Sequence, residues 1–359
     1  MILMAVIVVR AFTSSSPIAT HARLNPPHSP VLLSAQPGVN QLYLEGVSLY
    51  EQRTPAALDQ ARLLLMQAIA RDPQFAPAYA SLANVYLLSR EYATMTPDDA
   101  YAAARTAAEK AIALDPNLPE PHASLGFIYF FSDWNPAAAT TQFQIALHLD
   151  PGCVVAQHWF GSMLTHQGRY AEALQHLDIA QRLAPSSSAI QATRALALGL
   201  NGHRDEAIDM LQSLTVNGFD AAPPHRILAI LSLVEPHQSV LFLQQRQRVA
   251  QLRDDKQELA LLAAATIAFH RGGDQAMWST ILRQQRKLNP DPTHPNDSIA
   301  QAEAALGEDQ QALRDLDLLA KEHDPLVIGI PMNPLFLKYH GTPAFEHVLL
   351  AIGLRSPQP

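Results

Sequence analysis

The stretch "HQGRYAEALQHLDIAQRLAP", residues 166–185, decides how this chain folds. Gly168 stands where a chain turns through the left-handed backbone that only glycine adopts cheaply. The residues after it carry alanine at 173 and 180, two helical turns apart and so on one face. Pro185 then stops the helix. Gly161, Ala173 and Ala180 are all small, which lets two antiparallel helices approach closely where a larger side chain would wedge them apart.

The phrase recurs along the chain. "GRYAEA" (168–173) is followed by "GHRDEA" (202–207) and "GEDQQA" (307–312), each with a five-residue step from glycine to alanine. Gly272 keeps the phase, 70 residues after Gly202 and 35 before Gly307. Upstream, helix-ending prolines at 73, 116, 151 and 185 are separated by 43, 35 and 34 residues. Ala68, Ala111, Ala146 and Ala180 each lie five residues before one of them. The longer first interval is expected to be a loop supplied by "REYATMTPDDA" (90–100).

A period near 34 with a helix–turn–helix in each unit resembles the tetratricopeptide repeat. The fold expected is all-α: an α-solenoid of about eight helix pairs over residues 40–325, closed by a helical cap and tail at 326–359. The sixth pair, near 222–254, rests on phase alone. In the cap, Phe336, Phe345, Leu349 and Leu350 are expected to cover the apolar face of the last repeat.

Composition agrees with a helical array. Apolar residues make up 48% of the chain, and the charges sum to −8, which gives nucleic acid or an anionic membrane surface no general attraction. No direct nucleic-acid binding is therefore expected. A single cysteine, Cys153, excludes an internal disulfide framework and a multi-cysteine zinc site. "MILMAVIVV" opens an apolar stretch at 1–12 that is too short to span a bilayer. It reads as the end of a membrane helix that begins upstream, ahead of a buried or disordered leader or a weak signal peptide. Residues 13–39, with five prolines and five serines, have linker composition. The location expected is the periplasmic side of the inner membrane ahead of the cytoplasm.

No Walker loop, nucleophile elbow, HExxH helix, EF-hand loop or kinase motif is present. The fifteen histidines are scattered, with no metal-ligand spacing to carboxylates. Neither an enzyme, a cofactor nor a metal is expected. Binding of a protein, a peptide or a small ligand is.

In tetratricopeptide proteins the first helix of each pair lines a concave groove. Carried over position by position, the resemblance implies Tyr43, Val47 and Tyr50 in the first pair, and Asn84 and Leu87 in the second. It implies Phe127, Phe130 and Phe131 in the third, then His158, Ser162, Thr165 and His166 in the fourth. The string "GFIYFFSDW" (126–134) stands out, because the repeat's own packing position falls on Tyr129 and leaves three phenylalanines for the groove.

A narrower resemblance rests on "YLEGVSLYEQRTPAALDQARLLLMQAIARDPQFAPAYASLANVY", the insertion, "PHASLGFIYFFSDWNPAAA" and the tail "PLVIGIPMNPLFLKYHGTPAFEHVLLAIGL". In that order they resemble the repeat half of CadC-like winged-helix transmembrane regulators and of cyclase-linked tetratricopeptide proteins. The resemblance implies the interaction part of a bacterial signalling protein. The alternative is a membrane-anchored transcriptional regulator whose winged helix lies upstream of this chain.

Overall fold

The structure is a computed structural model, and it describes residues 33–355 apart from Ala93, Asn217 and residues 235–237. The apolar leader and most of the linker lie outside the described residues. Within them the chain forms sixteen α-helices and two 3-10 helices, with no strand.

The helices pack as successive pairs. These are α1 (Val39–Tyr50) with α2 (Pro55–Arg71), α3 (Ala76–Glu91) with α4 (Pro97–Leu114), α5 (Pro119–Phe131) with α6 (Pro136–Leu149), and α7 (Val154–His166) with α8 (Tyr170–Leu183). Then come α9 (Ser188–Leu200) with α10 (Arg204–Val216) and α11 (Ala222–Ser232) with α12 (Ser239–Leu252). Helix α13 (Lys256–Leu288) is broken at Gly272–Gly273, where φ of Gly273 is 67°, and its halves share a core through Leu262, Ala265, Met277 and Ile281. The eighth pair is α14 (Asp297–Leu306) with α15 (Asp309–Lys321). The molecule is a tetratricopeptide-like α-solenoid.

Local chemistry sets the helix ends. Prolines occupy the first turn of α2, α3, α4, α5, α6 and α11, where a missing N–H costs nothing. Thr54, Thr96, Asn135 and Asn296 cap α2, α4, α6 and α14 through their side-chain oxygens. The three Asp-Pro stops share one geometry. A following proline keeps Asp72, Asp115 and Asp150 out of the helical region, with φ of −135°, −144° and −146°. Each carboxylate then accepts the backbone N–H two residues on, from Gln74, Asn117 and Gly152.

Small residues set the distance between paired helices. The eighth residue of the first helix is Gly46, Ala83, Gly126, Gly161, Ala195, Ala229 and Ala304 in seven of the pairs, and Ala263, small but exposed, in the seventh pair along the chain. A Cβ on Gly161 would stand 2.6 Å from Cγ of Leu177, and one on Gly126 would stand 3.0 Å from the Phe143 ring. Ala68, Ala111, Ala146, Ala173 and Ala180 are fully buried on the other side of these contacts.

Two expectations need correction. The insertion at 90–100 is mostly helix. α3 and α4 run 16 and 18 residues against 13 and 14 for α5 and α6, leaving only residues 92–96 between them. Thr96, Pro97, Asp98 and Asp99 make a strong helix start, which draws the inserted residues into α4. The tail also does more than cover the last pair. Phe336, Phe345 and Leu349 are buried, but Leu350 is 59% exposed and covers nothing.

The tail instead turns back into the solenoid. It comprises a 3-10 helix at Pro325–Met332, a second at Pro334–Tyr339, and α16 (Pro343–Ala351). The first packs on α7, the second on α14, and α16 on α15. Beyond α16, Gly353 sits so close to the backbone of Trp134 that a Cβ there would stand 2.4 Å from its carbonyl oxygen. The array itself curls enough for Arg226 of α11 to pair with Glu91 of α3 at 3.3 Å.

Candidate binding groove

First helices stand side by side along the array, α1 against α3, then α5, α7, α9 and α11 in turn. Each has its pair partner on the outer side, so the face opposite the partner looks into the concavity. In an open solenoid that inner face would be wet. Here α5 is buried from Ala123 to Ile128, and α7 from Ala156 to Gly161, without a break. Six successive buried residues leave no helical face uncovered, so something fills the concavity.

The filling is the chain's own tail. Val327, Ile328 and Ile330 of the first 3-10 helix are buried in the same continuous core as Phe127, Phe130, Phe131, Trp159 and Phe160. Met332 belongs to the core built by α9, α10 and α11, with Ala195, Leu196, Ile227 and Leu231. Since α7 already has α8 outside it and α5 and α9 beside it, the segment that packs on α7 lies on its inner face.

The aromatic residues form a contiguous wall. Phe127 lies 4.4 Å from Phe131 and 4.9 Å from Trp159, centroid to centroid. Phe130 meets Phe131 edge-on at 4.8 Å, and His166 meets Phe131 edge-on at 5.1 Å. The Arg90 guanidinium lies over Phe127 at 5.6 Å and over Tyr101 at 5.4 Å. Tyr129, expected to hold the repeat's core position, is only half-buried and carries Arg105 over its ring at 5.3 Å. Phe130 is the fully buried aromatic residue of the string.

The remaining candidates are also enclosed. Asn84 accepts a hydrogen bond from the Ser124 hydroxyl at 2.7 Å, both buried. Tyr50 is buried, while Tyr43 is half-buried with its ring edge-on to Phe75 at 5.2 Å. Thr193 donates to the Ala189 carbonyl and accepts from Nε2 of His158 at 3.0 Å. Nδ1 of His166 donates to the Ser162 carbonyl at 2.9 Å. Burial pushes His158 down to about 3 and His166 down to about 4, so both rings are neutral near neutral pH. The structure thus brings Phe127, Phe130, Phe131 and His166 together, and sets Tyr43, Tyr50 and Asn84 in earlier units.

The sequence reading missed the tail as part of this site, as well as Trp159 and Arg90. Signal for the tail was present in "PLVIGIPM", an uncharged apolar run bounded by prolines and without a polar residue to face water. Among the described residues no group of three or more His, Cys, Asp or Glu could hold a metal ion. No described helix is long and apolar enough to cross a membrane. A separate cavity of about 410 Å³ lies between α11, α13 and α14, where Ser239 donates to Asp274 at 2.6 Å.

No family model matches the chain. No curated protein matches it either. Solved structures do. Pseudomonas aeruginosa PilF is 21% identical over 66% of this chain and 99% of its own, with a TM-score of 0.45. YrrB, described as a TPR protein with an unusual peptide-binding site, is 19% identical over 57% of this chain and 90% of its own, with a TM-score of 0.29. Yeast Tom70 is 15% identical over 91% of this chain and 67% of its own, with a TM-score of 0.46.

Proposed function

We propose that this chain is a non-enzymatic scaffold that binds a protein or peptide, the interaction part of a bacterial signalling protein. One observation carries the reading. The concavity lined by first helices holds an apolar 3-10 segment, Pro325–Met332, in one core with Phe127, Phe130, Phe131 and Trp159. A solenoid with such an inner surface has the architecture of a recognition groove. Phe127, Phe131, Ser162 and His166 are its central residues, with Tyr43, Tyr50 and Asn84 extending it toward the N-terminal units. Phe130 and His158 are buried beside them, His158 bonded to Thr193. The signalling assignment rests on the sequence resemblance of the array and tail to CadC-like and cyclase-linked proteins. A membrane-anchored regulator is the second reading, favoured by the apolar run "MILMAVIVV".

Photo-crosslinking in a bacterial host tests the scaffold reading. A crosslinking residue at Ser162, on the inner helix α7, should give discrete adducts with a partner protein. One at the exposed Thr141 of the outer helix α6 should not. Equal labelling from both positions would overturn the groove as the binding surface.

A further inference from the structure

We infer that Pro325–Met332 is a displaceable insert, and that the groove's partner presents a segment of the same chemistry: apolar, uncharged and bounded by prolines. This deepens the scaffold reading and rests on it. The insert differs from the rest of the tail in how it is held. The second 3-10 helix is pinned by polar contacts: Lys338 Nζ donates to the Ala304 carbonyl at 2.8 Å and to Asp309 at 2.6 Å, and the Tyr339 hydroxyl donates to Asp309 at 2.7 Å. On the other side, the His323 ring stacks on Trp134. Between these anchors, the hydrogen bonds described for the insert stay inside the tail, from Leu326 and Val327 to Asp324 and from Asn333 to Ile330.

Side chains alone therefore hold the insert in the groove. Val327, Ile328, Ile330 and Met332 are buried, while Leu326 beside them points to solvent. Each turn of a 3-10 helix satisfies its own backbone, so an equivalent segment can replace the insert without stranding a groove donor or acceptor. Apolar burial is non-directional, which makes the exchange a competition between similar surfaces. Anchors on both sides keep the insert at a high effective concentration, so a partner competes against an intramolecular ligand. His323, with φ of 58°, is a left-handed residue at the start of the tail where the chain changes direction.

The chemistry of the occupant defines that of the partner. The insert reads "PLVIGIPM", with prolines at 325 and 331 and no charge between them. The core it shares holds Phe127, Phe131 and Trp159, and Met332 joins the apolar residues of α9 and α11. Neutral His158 and His166 add no charge to it near neutral pH. The Arg90 guanidinium over Phe127 puts a positive charge at that wall, so a basic peptide would lose its hydration there without a counter-charge, whereas a proline-bounded apolar segment loses little.

A fluorescently labelled synthetic peptide with the sequence of residues 324–333, DPLVIGIPMN, is the probe. The full chain and its Ile328→Asp, Ile330→Asp double variant are titrated side by side. The variant should bind the probe at least about ten-fold more tightly than the unaltered chain, because its own insert no longer competes. The same peptide carrying both aspartates should bind neither. A folded variant with no gain in affinity would overturn the insert proposal and leave the scaffold reading to the crosslinking experiment. A chain that takes the probe yet gives no position-specific adduct would overturn the scaffold reading alone. Should the variant fail to fold, hydrogen exchange of the unaltered chain decides. Amides of 326–330 should exchange well ahead of those in α5 and α7, and exchange only together with them would make the insert permanent core.

Discussion

The ring of His323 lies parallel to that of Trp134, 4.0 Å away and tilted by 6°. It joins the end of the last repeat helix to the turn of the third pair, residues that sequence separates by most of the array. Gly353 closes on the same turn from the other end of the tail. Tail and third pair thus form one contact region, and the solenoid behaves as a closed unit there.

Gly353→Ala should therefore destabilise the chain by about 1–3 kcal/mol, from backbone strain and a steric clash together. Its φ is 73°, and the added Cβ would meet the Trp134 carbonyl. Gly341→Ala, with a similar φ of 76° and open space around it, supplies the control for strain alone. Thermal unfolding followed by circular dichroism measures both. Equal losses would mean the contact with Trp134 carries no weight.

Gly161→Ala offers a second comparison. Alanine favours a helix interior by about 0.5–1 kcal/mol over glycine, so a stable variant is the outcome if there is room. There is none: its Cβ would meet Leu177 at 2.6 Å and the Ala173 carbonyl at 3.1 Å. We expect a net loss of about 1–3 kcal/mol. Gly46→Ala, where the nearest atom is Cγ of Leu65 at 3.0 Å, should cost less. A Gly161 variant as stable as the parent would show that the α7–α8 contact is looser than the structure has it.

The array was legible because its marks are local. A glycine at a turn, an alanine at a helix contact and a proline at a stop each act within a few residues, and Gly168, Ala180 and Pro185 do what their chemistry dictates. One such mark went unread: Pro290 stops the second half of α13, with Asn289 before it at φ −122°, and lies in phase with the earlier stops. Gln285 fills the place five residues before it that alanine takes elsewhere, which hid the stop although Gly272 had kept the unit in phase. The groove was less legible. Whether Phe127 and Phe131 face solvent, a partner or the same chain depends on where a segment two hundred residues later folds, and helical periodicity carries no such information. The assignment of Tyr129 to the core failed for the same reason, since a core lying on both sides of α5 draws in the phenylalanines.

Phe130 and Tyr129 give that correction a measurable form. Phe130→Ala empties a fully buried site and should cost about 3–5 kcal/mol. Tyr129→Ala loses a half-buried ring and its contact with Arg105, about 0.5–1 kcal/mol from the cation–π term. Denaturant titration ranks the two. The reverse order would place Tyr129 in the core after all.

Acid stability tests the buried titratable groups, whose effects oppose one another. His158 and His166 are held down to about 3 and about 4, so below pH 6.5 the unfolded chain takes up protons that the fold refuses. Each then removes stability as pH falls, at about 1.4 kcal/mol per pH unit. Glu303 has the opposite sign. Burial beside Asp315 holds it up to about 7, so the fold gains its proton first, and that contribution is complete below pH 4.5 and lost as pH rises through 7. Asp297, pushed up to about 6 by burial, acts in the same sense. Between pH 6 and 4.5 the two pairs nearly cancel; from 4.5 to 3.8 Asp297 alone opposes the histidines, and below that His158 is left unopposed. The thermal midpoint should be nearly flat across the first range and fall below it. Glu303→Gln separates the terms, because it removes a buried charge whose partner Arg286, at 2.8 Å, is itself 49% exposed and can return to water. The variant should melt above the parent at pH 8 and lose that advantage at pH 5. A constant offset at both values would mean that Glu303 keeps its charge in the fold throughout.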